Sequence, residues 1–173
     1  MRKKLTISLN LLIVLFLTIT LFSCSSDDDN ILGQNDYSNK IDFDGQTYQI
    51  SGGNFEEGGN NEYSMALFPK GITFNDSNNV INGGDWYLEI ELITDDNTIE
   101  GTYKCGENVF GYFINNAQFV DDELQPGDIV YEVNQNGTLK INKLGNDYEF
   151  IYNAFDNRGV AFTVNYKGAL TSL

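Results

Sequence analysis

Residues 86–92 read Trp-Tyr-Leu-Glu-Ile-Glu-Leu, and the alternation in that run restricts the fold more than any other feature of the chain. Trp86, Leu88, Ile90 and Leu92 fall on one face of an extended segment, with Glu89 and Glu91 on the other. A helix would scatter these side chains around its surface; only a strand of an antiparallel sheet, apolar inside and polar outside, keeps the two sets apart. The same period of two recurs at Tyr63/Met65/Leu67, Ile129/Tyr131/Val133, Leu139/Ile141, Tyr148/Phe150/Tyr152 and Val160/Phe162/Val164/Tyr166. Val109 to Val120 is apolar on both faces in its first half, as expected of a central or doubly covered strand. No helical periodicity competes.

Turn chemistry separates these runs. Asp44-Gly45 divides Ile41/Phe43 from Tyr48/Ile50, and Asn136-Gly137 divides Tyr131 from Leu139; both are two-residue hairpin signals. Gly145-Asn146-Asp147 and Asp156-Asn157-Arg158-Gly159 punctuate the remaining C-terminal runs. The last 45 residues or so, about a quarter of the chain, therefore read as a four-stranded meander. The expectation is a single all-β antiparallel domain over residues 41–173, with about nine or ten strands closing as a barrel-like fold or a sandwich.

The beginning of the chain is of another kind. Arg2, Lys3 and Lys4 precede a stretch from Leu5 to Phe22 without a charged residue, the layout of a secretory signal. Leu21-Phe22-Ser23-Cys24 resembles the lipobox of bacterial lipoprotein signal peptides. That resemblance implies cleavage after residue 23, a lipidated Cys24, and a membrane partner reached through acyl chains. Ser25-Ser26-Asp27-Asp28-Asp29-Asn30 is similar to the acidic export signal of surface-exposed lipoproteins of the Bacteroidota. It implies an outer-membrane, cell-surface location. Gly137–Ile141 (Gly-x-Leu-x-Ile) and Tyr166–Leu170 (Tyr-x-Gly-x-Leu) resemble the ends of small β-rich lipoproteins of the same group, which lack assigned activities. Residues 24–40 read as lipidated cysteine and flexible acidic tether.

Cleavage would remove three of the ten basic residues and none of the 25 acidic ones, leaving 150 residues with a net charge of −18. A surface so negative repels phosphate backbones, so nucleic acid is not an expected partner. With Cys24 lipidated, Cys105 has no disulfide partner, and it reads as a small buried strand residue in phase with Tyr103.

Histidine is absent, which removes Ser-His-Asp and Cys-His catalysis and every imidazole metal site. No Walker loop or Gly-x-Gly-x-x-Gly occurs. The acidic loops Asn75–Asn79, Asp95-Asp96-Asn97 and Asp121-Asp122-Glu123 offer oxygen ligands, but none fits an EF-hand and Asx residues are ordinary in turns. No catalytic, cofactor or metal residue is therefore assigned. Trp86 is expected in the core; Tyr87 and Tyr112 are the aromatics expected on an exposed face, and Glu89 and Glu91 are expected to be solvated. The functional expectation is a non-catalytic, membrane-anchored binding or surface-structural module for a glycan, small-molecule or protein ligand. The alternative is a lipocalin-like barrel carrying a small apolar molecule.

Overall fold

The computed structural model describes residues 38–75, 80–125 and 129–172. The signal segment, Cys24 and the tether up to residue 37 lie outside the described residues, as does most of the loop at 75–79.

Fourteen strands follow one another with no helix among the described residues: β1 (Lys40–Phe43), β2 (Gln46–Gln49), β3 (Gly52–Glu57), β4 (Glu62–Phe68), β5 (Ile72–Asn75), β6 (Val80–Ile93), β7 (Gly101–Lys104), β8 (Val109–Val120), β9 (Glu123–Leu124), β10 (Ile129–Glu132), β11 (Gln135–Leu144), β12 (Asp147–Phe155), β13 (Ala161–Ala169) and β14 (Thr171–Ser172). They form two sheets. Sheet A has the order β2-β1-β13-β12-β11-β7; sheet B has the order β10-β8-β6-β4-β3-β14, with β5 on β6 and β9 on β8. The two inner faces pack against each other as a sandwich rather than closing into a barrel. The strands beyond the expected nine or ten are short: β9 and β14 have two residues each, and β5 and β7 have four. β14 is also the exception to antiparallel pairing, lying parallel to β3 through Thr171↔Asn54.

The alternation read from the sequence places the core correctly. Trp86, Leu88, Ile90 and Leu92 are all at most 1 % exposed. At the centre stands Phe113 of β8, whose ring meets Phe43, Tyr48 and Phe162 of sheet A and Trp86 of its own sheet at centroid distances of 5.4, 5.0, 5.6 and 6.1 Å. Asp44-Gly45 is the expected hairpin turn: Phe43 pairs with Gln46, and φ is 50° at Asp44 and 75° at Gly45, the left-handed pair of a type I′ turn.

The C-terminal meander needs a correction. It has three strands, β11-β12-β13, because β10 crosses to sheet B and pairs there with β8 (Tyr131↔Phe113). Asn136-Gly137 is accordingly not a hairpin turn. It lies inside β11, at a shift of register between Gln135 and Thr138. The cause is tertiary: Val133, fully buried, enters the core between the sheets, and the Tyr152 hydroxyl donates to its carbonyl oxygen. Gly137 lets β11 lie close against β12, since a Cβ there would collide with the Asn153 carbonyl.

Phe113→Ala should cost about 3–5 kcal/mol and Leu88→Ala about 2–5 kcal/mol in urea unfolding, through lost transfer energy and the cavities left behind. Glu91→Ala, on the outer side of the same strand as Leu88, should change stability by about 0.5 kcal/mol or less. Equal losses for Leu88→Ala and Glu91→Ala would refute the assignment of faces.

Candidate functional site

The outer faces of the two sheets are charged differently. The strands of sheet A carry five lysines and three acidic residues, whereas those of sheet B carry eight acidic residues and no Lys or Arg. On sheet A the charges meet: Lys40 pairs with Asp42 at 2.7 Å and Lys167 with Glu149 at 2.9 Å. Among the described residues, no carboxylate from a strand of sheet B has an ion-pair partner.

Register organises the sheet B face into rows. One row runs Glu56–Ser64–Glu91–Phe110 across β3, β4, β6 and β8. The next runs Asn54–Ala66–Glu89–Tyr112–Glu132 and extends onto β10. Glu56, Glu62, Ser64, Glu91, Ile93 and Phe110 border an open depression of 390 Å³ at the end of this face. Glu91 is exposed, as the sequence implied. Glu89 is not fully solvated: it is half-buried, and desolvation together with the neighbouring Glu91 charge pushes its carboxyl above the ordinary glutamate range. Tyr112 is half-buried, and burial followed by the charges of Glu91, Glu132 and Glu89 raises its phenol.

Tyr87 departs further from expectation. It is 9 % exposed, its ring edge-on to Phe119 at 5.1 Å, within a second apolar cluster that includes Ala66, Ile72, Ile114 and Ala117. Its buried members come from β4, β5, β6 and β8, on the outer side of sheet B, with Phe68, Phe74 and Ile81 packed against it. Burial and then the Glu89 charge raise the Tyr87 phenol. Asn54 is the residue for which the sequence offered no signal. It is 4 % exposed, shares a face with Glu56 and Glu89, and its side-chain NH₂ has no hydrogen-bond partner.

The other sequence candidates resolve into structural roles. Asp121 and Asp122, with φ of 51° and 70°, form the turn between β8 and β9. The Asp122 carboxylate accepts the Ile81 N–H, and the Asp121 N–H is donated to Asn82 Oδ1 at 3.1 Å. Asp95 and Asp96 are exposed, and no three ligating side chains converge among the described residues. Cys105 is half-buried rather than buried, beside the Tyr152 hydroxyl; burial pushes its thiol up, away from the reactive thiolate.

Asp156 is the counterpart of Glu89. It is 1 % exposed and accepts the N–H groups of Arg158 and Val160 at 2.9 and 2.8 Å and Arg158 Nε at 2.6 Å. Burial alone would raise its carboxyl, but the Val160 N–H and the Arg158 contacts outweigh that and hold it below the ordinary range. The same guanidinium lies 4.7 Å from the Tyr131 ring centroid and reaches Asp44 at 3.3 Å, fastening the β12–β13 loop to β10 and to the first hairpin.

Comparison of the chain with protein-family models, with curated proteins and with solved structures finds no match.

Asp156→Asn should destabilise the protein at pH 7 by about 1.5–3 kcal/mol, the worth of hydrogen bonds to a charged group. Because the folded carboxyl titrates below its unfolded value, that contribution is present above about pH 4 and lost as pH falls through the folded value. Urea midpoints of the two proteins should converge on going from pH 7 to the lowest pH at which both fold. A constant gap would sink the assignment.

Proposed function

We propose that the chain is a lipid-anchored, non-catalytic binding module at the outer membrane, and that it engages its ligand through the outer face of sheet B. Glu89 carries this reading. Folding alone disfavours a desolvated carboxylate without a partner, and the sheet around it holds no basic residue. Natural proteins keep such unfavourable arrangements chiefly where function requires them. The interior supports a module over a carrier, since rings from both sheets fill the centre at contact distance. The anchor rests on the charged-then-apolar start and on Cys24.

The sign of the Glu89 effect is opposite to that of Asp156. A carboxyl raised in the folded state costs no stability below its unfolded value, near pH 4, and the full penalty appears above its folded value. Glu89→Gln should thus raise the urea midpoint at pH 7, and the gain should vanish at about pH 3. A variant no more stable than the parent at pH 7 would remove the basis for placing the site here.

For the anchor, Cys24→Ser should abolish incorporation of labelled palmitate and leave an uncleaved precursor. Normal maturation of that variant would refute lipidation. Replacing Asp27, Asp28 and Asp29 with Ala should protect the protein from protease added to intact cells. Unchanged digestion would show that the acidic run does not direct surface export.

A further inference from the structure

The open edges of the two sheets are not alike. Sheet A ends in β2, whose exposed Gln46, Thr47 and Gln49 are polar, and in β7, which carries the exposed Lys104. Sheet B ends in β14, a strand of two residues, and in β10. Short strands and polar or charged side chains are the ordinary means of keeping an edge from recruiting another chain. β10 is short but apolar: its Ile129 and Val130 are 47 % and 52 % exposed. The hydrogen-bond register defines what this edge offers. The Val133 N–H donates to the Gly111 carbonyl at 2.8 Å, in step with the Tyr131↔Phe113 and Ile129↔Asn115 pairs. Bonded pairs recur at every second residue of an antiparallel ladder, so the amides and carbonyls of Val130 and Glu132 point away from β8. No strand among the described residues meets them. Arg158 covers the Tyr131 ring and makes its own hydrogen bonds to Asp156 and Asp44. Val130 and Leu124 lie in register with Ile114 and Phe119, so the exposed rim of the second apolar cluster runs along this side of the sheet.

We infer that the β10 edge takes an extended segment of another polypeptide, added antiparallel as a further strand of sheet B. Main-chain bonds to Val130 and Glu132 give the affinity, and alternate side chains select the partner. On the outer face the segment needs an apolar residue beside Val130 and a Lys or Arg beside Glu132. On the inner side it needs apolar residues beside Tyr131 and Ile129. A second copy of the chain fits this edge less well. Pairing β10 with itself would bring together two chains of 25 acidic and ten basic residues each, with no Lys or Arg on the strands of sheet B to offset the repulsion. The same imbalance draws a basic segment in. Glu89 lies two strands inside the sheet and takes no part.

The experiment uses the purified full chain in non-ionic detergent and fluorescein-labelled Ser-Thr-Lys-Val-Val-Ile-Thr-Lys, read by anisotropy. In antiparallel register its Lys-Val-Val-Ile run faces Glu132, Tyr131, Val130 and Ile129 in turn. Expected is saturable binding below about 1 mM. N-methylation of the Lys and the second Val of that run, whose amides face β10, should weaken binding about tenfold or more. Methylation of the first Val and the Ile, whose amides face away, should leave it nearly unchanged. Val130→Pro should act like the first methylation pattern, since it removes a donor that makes no bond within the sheet. Glu132→Lys should weaken the peptide several-fold and favour its counterpart with Glu in place of that Lys. Lys140→Gln on sheet A should change nothing. Absence of saturation would overturn the inference. So would equal losses from the two methylation patterns, which would show apolar adhesion without strand pairing. Self-association of the chain that Val130→Pro abolishes would assign the edge to a second copy and overturn it too. None of these outcomes touches the outer-face reading, which stands or falls on the stability of Glu89→Gln.

Discussion

The sandwich depends on the Phe113 ring. Cys105 is a free thiol, so among the described residues no covalent link ties the sheets, and adhesion falls to the interdigitated side chains. Phe113 sits midway along β8 and touches Phe43, Tyr48 and Phe162 from three strands of the facing sheet. Phe43 and Tyr48 meet it edge-on and Phe162 at a tilt, and ring pairs of this kind contribute about 0.5–1.5 kcal/mol each beyond the area they bury. The contact also dictates topology. Tyr131 pairs with Phe113 in register and sets its own ring 5.1 Å from Phe43, so β10 can join the aromatic centre only from sheet B. Arg158, held by Asp156, then covers the Tyr131 ring and closes that edge.

What the sequence made legible was the side on which each residue lies. Period two is a local property of extended backbone, so Trp86, Leu88, Ile90 and Leu92 could be placed inside without knowing what they meet. The Asp44-Gly45 hairpin was legible for the same reason, since its left-handed dihedrals are favoured by those two residues alone. Asn136-Gly137 carries an equally good local signal and misleads. Asn136 does take the left-handed φ of 47° that the signal favours, but at a shift of register inside β11 rather than in a hairpin. The reason is that Val133 and the Tyr152 hydroxyl hold the chain between the sheets, and no dipeptide records a partner 19 residues away.

The candidate site was half legible, and the missing half has one cause. Alternation put Tyr87, Glu89 and Glu91 on the outer side, but it does not say whether an outer side is covered. Tyr87 is buried within the outer apolar cluster, its ring against Phe119 of β8. One register row away Glu89 is half-buried, and two rows away Glu91 is exposed. A gradient of dielectric thus runs along three consecutive outward positions of one strand. Asn54 was not legible because Gly52-Gly53 breaks the apolar pattern of β3 and leaves no period to assign it a side.

The two outer faces differ in what each does with the same geometric opportunity. On sheet A, Glu149 faces Lys167 directly across β12 and β13, and the side chains meet. Opposite charges at facing positions contribute roughly 0.2–1 kcal/mol, so the arrangement is a modest but available gain. Sheet B offers equivalent positions beside each of its carboxylates. They hold Ser64 between Glu56 and Glu91, and Ala66 and Tyr112 on either side of Glu89. A lysine at Ser64 could have compensated two carboxylates at once, as Lys167 compensates one on the other sheet. Mutual repulsion is instead left in place, strongest in its effect where Glu89 is least hydrated. A chain that compensates charge on one face and forgoes it on the other, within the same sandwich, has not simply failed to find a surface lysine. The uncompensated face is the one on which a positive group from outside the chain would supply the missing partner, and Glu89 is the position where supplying it would recover the most.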